Sequence, residues 1–548
     1  MAKYLQALKH LGLGLWALLA AGLAEPATGQ PAGLSKVWVP DLGNGTYKNP
    51  VLYADYSDPD VVRVGADYYL TSSSFNAAPG LQILHSRDLV NWTIIGAAFT
   101  RQPPAARYDL PQHGNGVWAP AIRYHAGQFY IYYPDPDLGI FVTRATTPAG
   151  PWSPPVCVKA AKGWIDPCPL WDTDGQAYLA HGFAGSRAGF KSVLAVSRMS
   201  PDGLRLLGDD ALVFDGHEKH PTIEGPKFYK RNGYYYLLAP GGGVATGWQV
   251  ALRSKNPFGP YEDKITLAQG NTSVNGPHQG AWVDTPDGKE HWFMHFQDLG
   301  PYGRVVHLQP MQWKNDWPVM GSDPDGDGTG EPVLTHRKPN VPPQPRATPA
   351  TSDEFGANRL GGQWQWHANP QVGWALPNGP QGFLRLYSVP VPADYINLWQ
   401  VPNLLLQKLP AESFTATTRL TFTPRFAGEK AGLLIMGLDY AYLGLTFEDG
   451  KVQLAPVTCR AADQGTAETA GAAVEVPARQ PIYLRVAVRP GAKCQFSYSL
   501  DGQQFRPLGA EFPAREGKWI GAKMGLFVTR AGRTNDAGNL DVDWFRVE

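Results

Sequence analysis

The stretch His220–Leu238, "HPTIEGPKFYKRNGYYYLL", holds a single acid, Glu224, ahead of Gly225-Pro226. A short strand follows, then an Asn232-Gly233 turn, then an aromatic return strand. Asn-Gly between apolar runs is the strongest short-range signal for a β-hairpin. Four other segments share this design: "VVRVGADYYL", "AIRYHAGQFYIYY", "LWDTDGQAYLAH" and "WVDTPDGKEHWFMHF". The five turn glycines, Gly65, Gly127, Gly175, Gly233 and Gly288, lie 62, 48, 58 and 55 residues apart. A period near 55 with two adjacent strands per repeat indicates a propeller. Further strand candidates between the hairpins ("LQILHSRDLVNW", "VLAVSRMSPDG", "QVALRSKNPFGPY") bring each repeat to about four strands. The expectation is a five-bladed β-propeller over 38–335, with a large sandwich as the alternative that leaves the even spacing unexplained.

Seven to ten residues before each turn glycine stand Asp58, Trp118, Asp166, Glu224 and His278. The first strand of a propeller blade lines the central axis, so these five positions should converge at one end of the channel. Three of them are acids. Carboxylates forced together raise at least one pKa, which is how a general acid is made. An Asp before Pro also serves as an ordinary turn cap, but three acids at one phase in three repeats point to a site.

The whole chain has 548 residues, enough for two or three domains. Lys+Arg and Asp+Glu both total 48, which argues against a nucleic-acid binder. With 18 Trp, 24 Tyr and 22 Phe, the aromatic content suits either core packing or the stacking of sugar rings. "MAKYLQALKH" followed by the 14-residue apolar run "LGLGLWALLAAGLA" has the pattern of a secretory signal, expected over 1–29. No later segment is apolar enough to span a bilayer, so a secreted or periplasmic location is expected. In an oxidising compartment Cys157 and Cys168, or Cys459 and Cys494, could bridge; free thiols are equally compatible with the sequence.

Beyond the propeller, a Pro-rich polar stretch reads as a linker over 336–350. Alternating strands with Gly turns then suggest a β-sandwich over 351–548. The acids Asp323, Asp325 and Asp327 in "DPDGDGTGE" could hold a structural Ca²⁺, although the spacing fails the EF-hand pattern.

The ordered motifs "YADYSDPDVVRVGADYYL", "GVWAPAIRYHAGQFYIYY", "WIDPCPLWDTDG", "IEGPKFYKRNGYYYLL" and "GRVVHLQP" resemble glycoside hydrolase family 43, which contains β-xylosidases, α-L-arabinofuranosidases and arabinanases. "SDEF" followed by "QWQWHANP" is similar to the concanavalin-like jelly-roll domain of the β-xylosidase branch. The resemblance implies an exo-acting, inverting hydrolase that releases xylose or arabinose from plant cell-wall oligosaccharides and requires no cofactor. It implies Asp58 as general base, Asp166 as modulator of the acid's pKa, and Glu224 as general acid. Asp60 ranks behind Asp58 because relatives often carry Ser in its slot. Phe75, Trp118, Arg187 and Arg304 are implied as sugar contacts, and Trp519 as a contact lent by the sandwich. His278 is implied to stand near a calcium or water cluster. The competing classes are a non-catalytic carbohydrate-binding propeller and a cell-surface adhesion protein.

Overall fold

The protein is described by a computed structural model covering residues 33–548; the expected signal segment 1–29 lies outside the described residues. Five four-stranded antiparallel sheets follow one another in chain order, each with its strands in sequential order. These are blades I to V, and their first strands are Asp60–Val64, Ala121–His125, Trp164–Trp171, Lys227–Arg231 and His278–Asp284. Each first strand pairs with the second across the glycine turn expected from the sequence.

Blade IV shows why these sequences make blades. Its hairpin turns through Asn232 and Gly233 with φ of +49° and +74°, as a two-residue turn of the favoured hand requires. The second strand, Tyr234–Gly241, is apolar on both faces. Tyr235, Leu237 and Ala239 pack with Cys168, Tyr178 and Ala180 of blade III. The alternate residues Tyr236 and Leu238 pack with Phe293, Met311 and Met320 of blade V. A strand buried on both faces reads as a continuous apolar run rather than as alternation.

The ring closes through its N-terminal segment. Leu52 forms a bridge with Val306 of blade V, and Thr46–Lys48 pairs with Thr335–Arg337. Residue 54 onward is thereby delivered to the start of blade I beside the third strand of blade V.

The C-terminal half is a sandwich of a nine-stranded and an eight-stranded sheet, with the core between them. Leu433, Leu443 and Leu526 of one sheet meet Leu484, Val542 and Phe545 of the other. Its strand Lys523–Arg530 is central to the first sheet, and the turn before it faces the propeller. All four cysteines are free; Cys157 is exposed and the other three are buried. No helix among the described residues is long and apolar enough to cross a membrane.

Candidate active site

The three acids singled out by their phase in the repeat are brought together. Asp166 is 4% exposed, and its carboxyl is raised well above the usual carboxylate range by burial and then by the charges of Glu224 and Asp58. The Gly225 N–H and Lys227 pull in the opposite direction. Like charges act on one another so strongly only across a short, water-poor space. Of the two neighbours Asp166 is the buried one; the Glu224 side chain is 29% exposed.

Backbone conformation sets this arrangement. Asp58 and Asp166 adopt φ of +54° and +58°, in the left-handed region that Asp tolerates better than most residues. At blade IV the left-handed residue is Gly225, with φ +59°. A Cβ there would lie 2.8 Å from the Gln279 side chain, so glycine is required on two counts. The Gly225 N–H donates to Asp166 Oδ2 at 2.8 Å, which ties the residue after Glu224 to the neighbouring blade.

Asp58 is enclosed by donors. Ser57 Oγ and Ser73 Oγ donate to its Oδ2 at 2.7 and 2.6 Å, and Arg304 Nη1 lies 3.2 Å from Oδ1. The same Nη1 donates to Ser57 Oγ at 2.7 Å, and the guanidinium covers the Phe296 ring at 4.8 Å. Such a set of donors suits a carboxylate. Ser57 and Ser73 were not singled out from the sequence; the adjacency of Ser57 to Asp58 and the "SSSF" run were the available signals.

Asp60 faces another environment. It is fully buried, accepts from the Ile122 N–H and from Arg123 Nη1 at 2.6 Å each, and lies 3.7 Å from Lys227 Nζ. Arg123 also reaches Cys168 Sγ at 2.9 Å. This is an ion cluster linking the first strands of blades I, II and IV, closed to a substrate.

Glu224 Oε1 lies 3.2 Å from His278 Nε2. His278 is buried and its Nδ1 has no protein partner. With Nε2 turned toward Glu224, a water cluster or a hydrated ion beside His278 would be met through the unpartnered Nδ1. The Asp323, Asp325 and Asp327 oxygens do lie within 4.8 Å of one another. However, Lys314 Nζ holds Asp323 at 2.7 Å, and backbone N–H groups of Gly328, Asp327 and Thr329 donate to the three side chains. Turn capping accounts for that loop.

The aromatic candidates divide. Trp118 is half-buried, with its Nε1–H on the Gly114 carbonyl at 2.7 Å. The Arg187 guanidinium lies 5.2 Å from its ring centre, and Trp519 meets it edge-on at 6.4 Å. Arg187 is fixed by Asn115 Oδ1 at 2.6 Å and Asp137 Oδ1 at 3.3 Å. Trp519 is half-exposed and comes from the sandwich turn 516–520, which lines a cleft of about 270 Å³ with Arg304, Asp298 and Gly303 of the propeller. Phe75 is buried instead, paired with Val117 and lining a narrow cavity of about 30 Å³ between the two halves. It backs the segment that carries Trp118.

A propeller whose blade origins gather three carboxyls beside an arginine and a cleft edged with tryptophan has the build of a glycoside hydrolase. Residues 47–318 match the sequence profile of Glycosyl hydrolases family 43, and residues 352–548 match the Beta xylosidase C-terminal Concanavalin A-like domain. The chain is 41% identical over 491 residues to a putative beta-xylosidase of Xylanibacter ruminicola, covering 89% of this chain and 87% of that one. It is 28% identical to a non-reducing end alpha-L-arabinofuranosidase of Bacteroides ovatus, covering 92% and 95%. Among solved structures, xylan beta-1,4-xylosidase from Bacillus halodurans superposes with a TM-score of 0.80 at 25% identity, covering 91% of this chain and 99% of the other. The chain belongs to glycoside hydrolase family 43, and it is an enzyme rather than a non-catalytic sugar-binding propeller.

Proposed function

We propose that the protein is an exo-acting, inverting pentosidase. It removes terminal xylose, or arabinose, from xylan- or arabinan-derived oligosaccharides, with 38–335 as the catalytic unit and 351–548 as the accessory one. The observation that carries this reading is the division of the carboxyls: Asp58 among donors, Asp166 desolvated beside Glu224. Asp58 takes a proton from a water on one face of the anomeric carbon, and Oδ1 keeps a free lone pair for it. Glu224 gives a proton to the departing glycosidic oxygen on the opposite face. Glu224 has to carry that proton into the reaction, and the group beside it is the buried Asp166 carboxyl, itself raised by burial and by the charges of Glu224 and Asp58. His278 Nε2 orients Glu224 through Oε1. Inversion needs room for the attacking water, so the Asp58 and Glu224 carboxyls should stand roughly 6.5–9.5 Å apart.

The exo mode rests on Trp519, which lines the cleft beside Arg304 and meets Trp118 edge-on. A pentose is favoured by the names of the relatives, which include both β-xylosidases and an α-L-arabinofuranosidase. The signal pattern at 1–29 supports action outside the cytoplasm on cell-wall fragments.

Nitrophenol release from β-D-xylopyranoside and α-L-arabinofuranoside substrates tests the reading, with Glu224→Gln as control. Proton NMR of the first product formed reads the anomer. Activity on either pentoside with inversion, lost in Glu224→Gln, is expected. Inertness on both, or retention of configuration, rejects the proposal.

A further inference from the structure

Three residues before Asp58 lies a buried carboxylate that has no part in the chemistry above. Asp55 is 5% exposed. Its Oδ1 accepts the backbone N–H of Arg304 at 2.9 Å, and its Oδ2 accepts the backbone N–H of Gly521 at 3.0 Å. Those two amides belong to different halves of the molecule. Arg304 begins the blade V strand that reaches Asp58, and Gly521 closes the sandwich turn that carries Trp519.

The surroundings leave little freedom. A Cβ on Gly521 would lie 2.6 Å from the Gly303 nitrogen, and one on Gly303 would lie 2.5 Å from Asp55 Cβ. The Ala522 N–H donates to the Pro301 carbonyl at 2.8 Å. Tyr302 enters the sandwich, where its hydroxyl accepts the Ala492 N–H at 2.7 Å and donates to the Glu412 carbonyl at 3.1 Å. The charge of Asp55 is faced by two lysines of the sandwich, the buried Lys523 and the half-buried Lys408. Burial raises the Asp55 carboxyl, and the Arg304 N–H, Lys523, Lys408 and the Gly521 N–H act against it. These groups account for an acid here: an apolar residue would leave two buried N–H groups unpaired and Lys523 and Lys408 without the anion they face.

We propose that Asp55 is a positioning residue that joins the sandwich turn bearing Trp519 to the strand bearing Arg304, so that the substrate cleft is complete only with the C-terminal half seated. This rests on the reading of Asp58 and Arg304 as parts of a pentosidase site. One carboxylate thus holds the turn of the tryptophan that edges the cleft against the blade V strand, whose own ladder keeps Arg304 in place. Losing it should therefore affect substrate capture more than the chemical step.

The test uses the full chain with Asp55→Ala, Asp55→Asn, Trp519→Ala and the Asp55→Ala/Trp519→Ala pair. Hydrogen exchange over 516–523 should accelerate at least tenfold in Asp55→Ala, and by less in Asp55→Asn, whose amide retains one acceptor. On nitrophenyl xyloside, Asp55→Ala should raise KM about tenfold and change kcat less than threefold. In the Trp519→Ala background the same change should raise KM less than twofold, because the contact it positions is already gone. Should Asp55→Ala fail to fold, Gly521→Ala displaces the turn from the other side and should reproduce the KM rise. Unchanged exchange over 516–523, or a KM effect fully additive with Trp519→Ala, overturns the proposal. Inertness of the unmodified enzyme on every pentoside would reject the pentosidase reading, and the exchange measurement would still decide whether Asp55 holds the turn.

Discussion

Asp58 and Asp60 are two residues apart, and the sequence alone ranks but does not separate them; a paired substitution does. Asp60→Asn keeps an acceptor for the Ile122 N–H but removes the charge that faces Arg123 at 2.6 Å and Lys227 at 3.7 Å. Asp60 and Lys227 are fully buried, so two cations would be left without their shared anion. Breaking a buried ion pair from one side costs about 3–5 kcal/mol, a large part of the roughly 5–15 kcal/mol that holds a domain folded. With a urea m-value of about 2–3 kcal/mol/M, the propeller's unfolding midpoint should fall by roughly 1–2 M. Activity per folded molecule should remain within about threefold, since Asp60 does not touch the cleft. Asp58→Asn should do the reverse. Arg304 keeps Ser57 as a partner, so the midpoint should move less, whereas loss of a general base lowers kcat by about 10²–10⁴. Urea melts followed by circular dichroism, with kinetics normalised to folded protein, measure both. If Asp60→Asn is as stable as the wild type but inactive, while Asp58→Asn turns over normally, the two roles are exchanged and the assignment is wrong.

A raised folded-state pKa at Asp166 means that its stability contribution is fully present below the unfolded value, about 3.9, and is lost as pH rises through the folded value. Asp166→Asn removes that loss: the variant should melt higher than wild type at pH 7, with the gap closing toward pH 4, and a gap of constant size refutes the cause given. The same variant should lose activity, because it removes the buried carboxyl that faces Glu224 and accepts the Gly225 N–H. A buried Trp covers about 150–250 Å², and Trp519 is 50% exposed, which leaves about 100 Å² for contact. If a sugar covers half of it at about 25 cal/mol/Å², Trp519→Ala should lower kcat/KM about tenfold, mostly through KM; an unchanged KM would remove Trp519 from the cleft.

The blades were legible because each rests on a local signal: a turn glycine with positive φ, and apolar residues on either side of it. The convergence of Asp58, Asp166 and Glu224 followed from their common phase in the repeat. The contrast between Asp58 and Asp60 did not. Residues i and i+2 of a strand point the same way, and it is the left-handed φ at Asp58, outside the strand proper, that sends the two carboxyls to different neighbours. The repeat phase set Trp118 at a blade origin, but it could not show that Phe75 is buried in a cavity shared with residues of the sandwich. Trp519 was reachable only through family resemblance, and Asp55 not at all, because its second partner lies 466 residues away.

The axial cluster also bears on the chemistry above it. Around the blade origins stand four acids, Asp58, Asp60, Asp166 and Glu224, and three cations, Arg123, Lys227 and Arg304. With every group ionised this set carries one excess negative charge in a nearly dry space. With one proton held by Asp166 and Glu224 it is neutral. The cations are unevenly placed: Arg304 stands at Asp58, while Arg123 and Lys227 both stand at Asp60. The lower layer is therefore positive by one, and Lys227 acts on Asp166 from there. That field acts against the rise that burial and the neighbouring acids impose on the Asp166 carboxyl. A cluster closed to substrate thus bears on the Asp166 carboxyl above it, and the acid at position 60 is the anion that Arg123 and Lys227 share, which gives a physical reason for it apart from any part in the reaction.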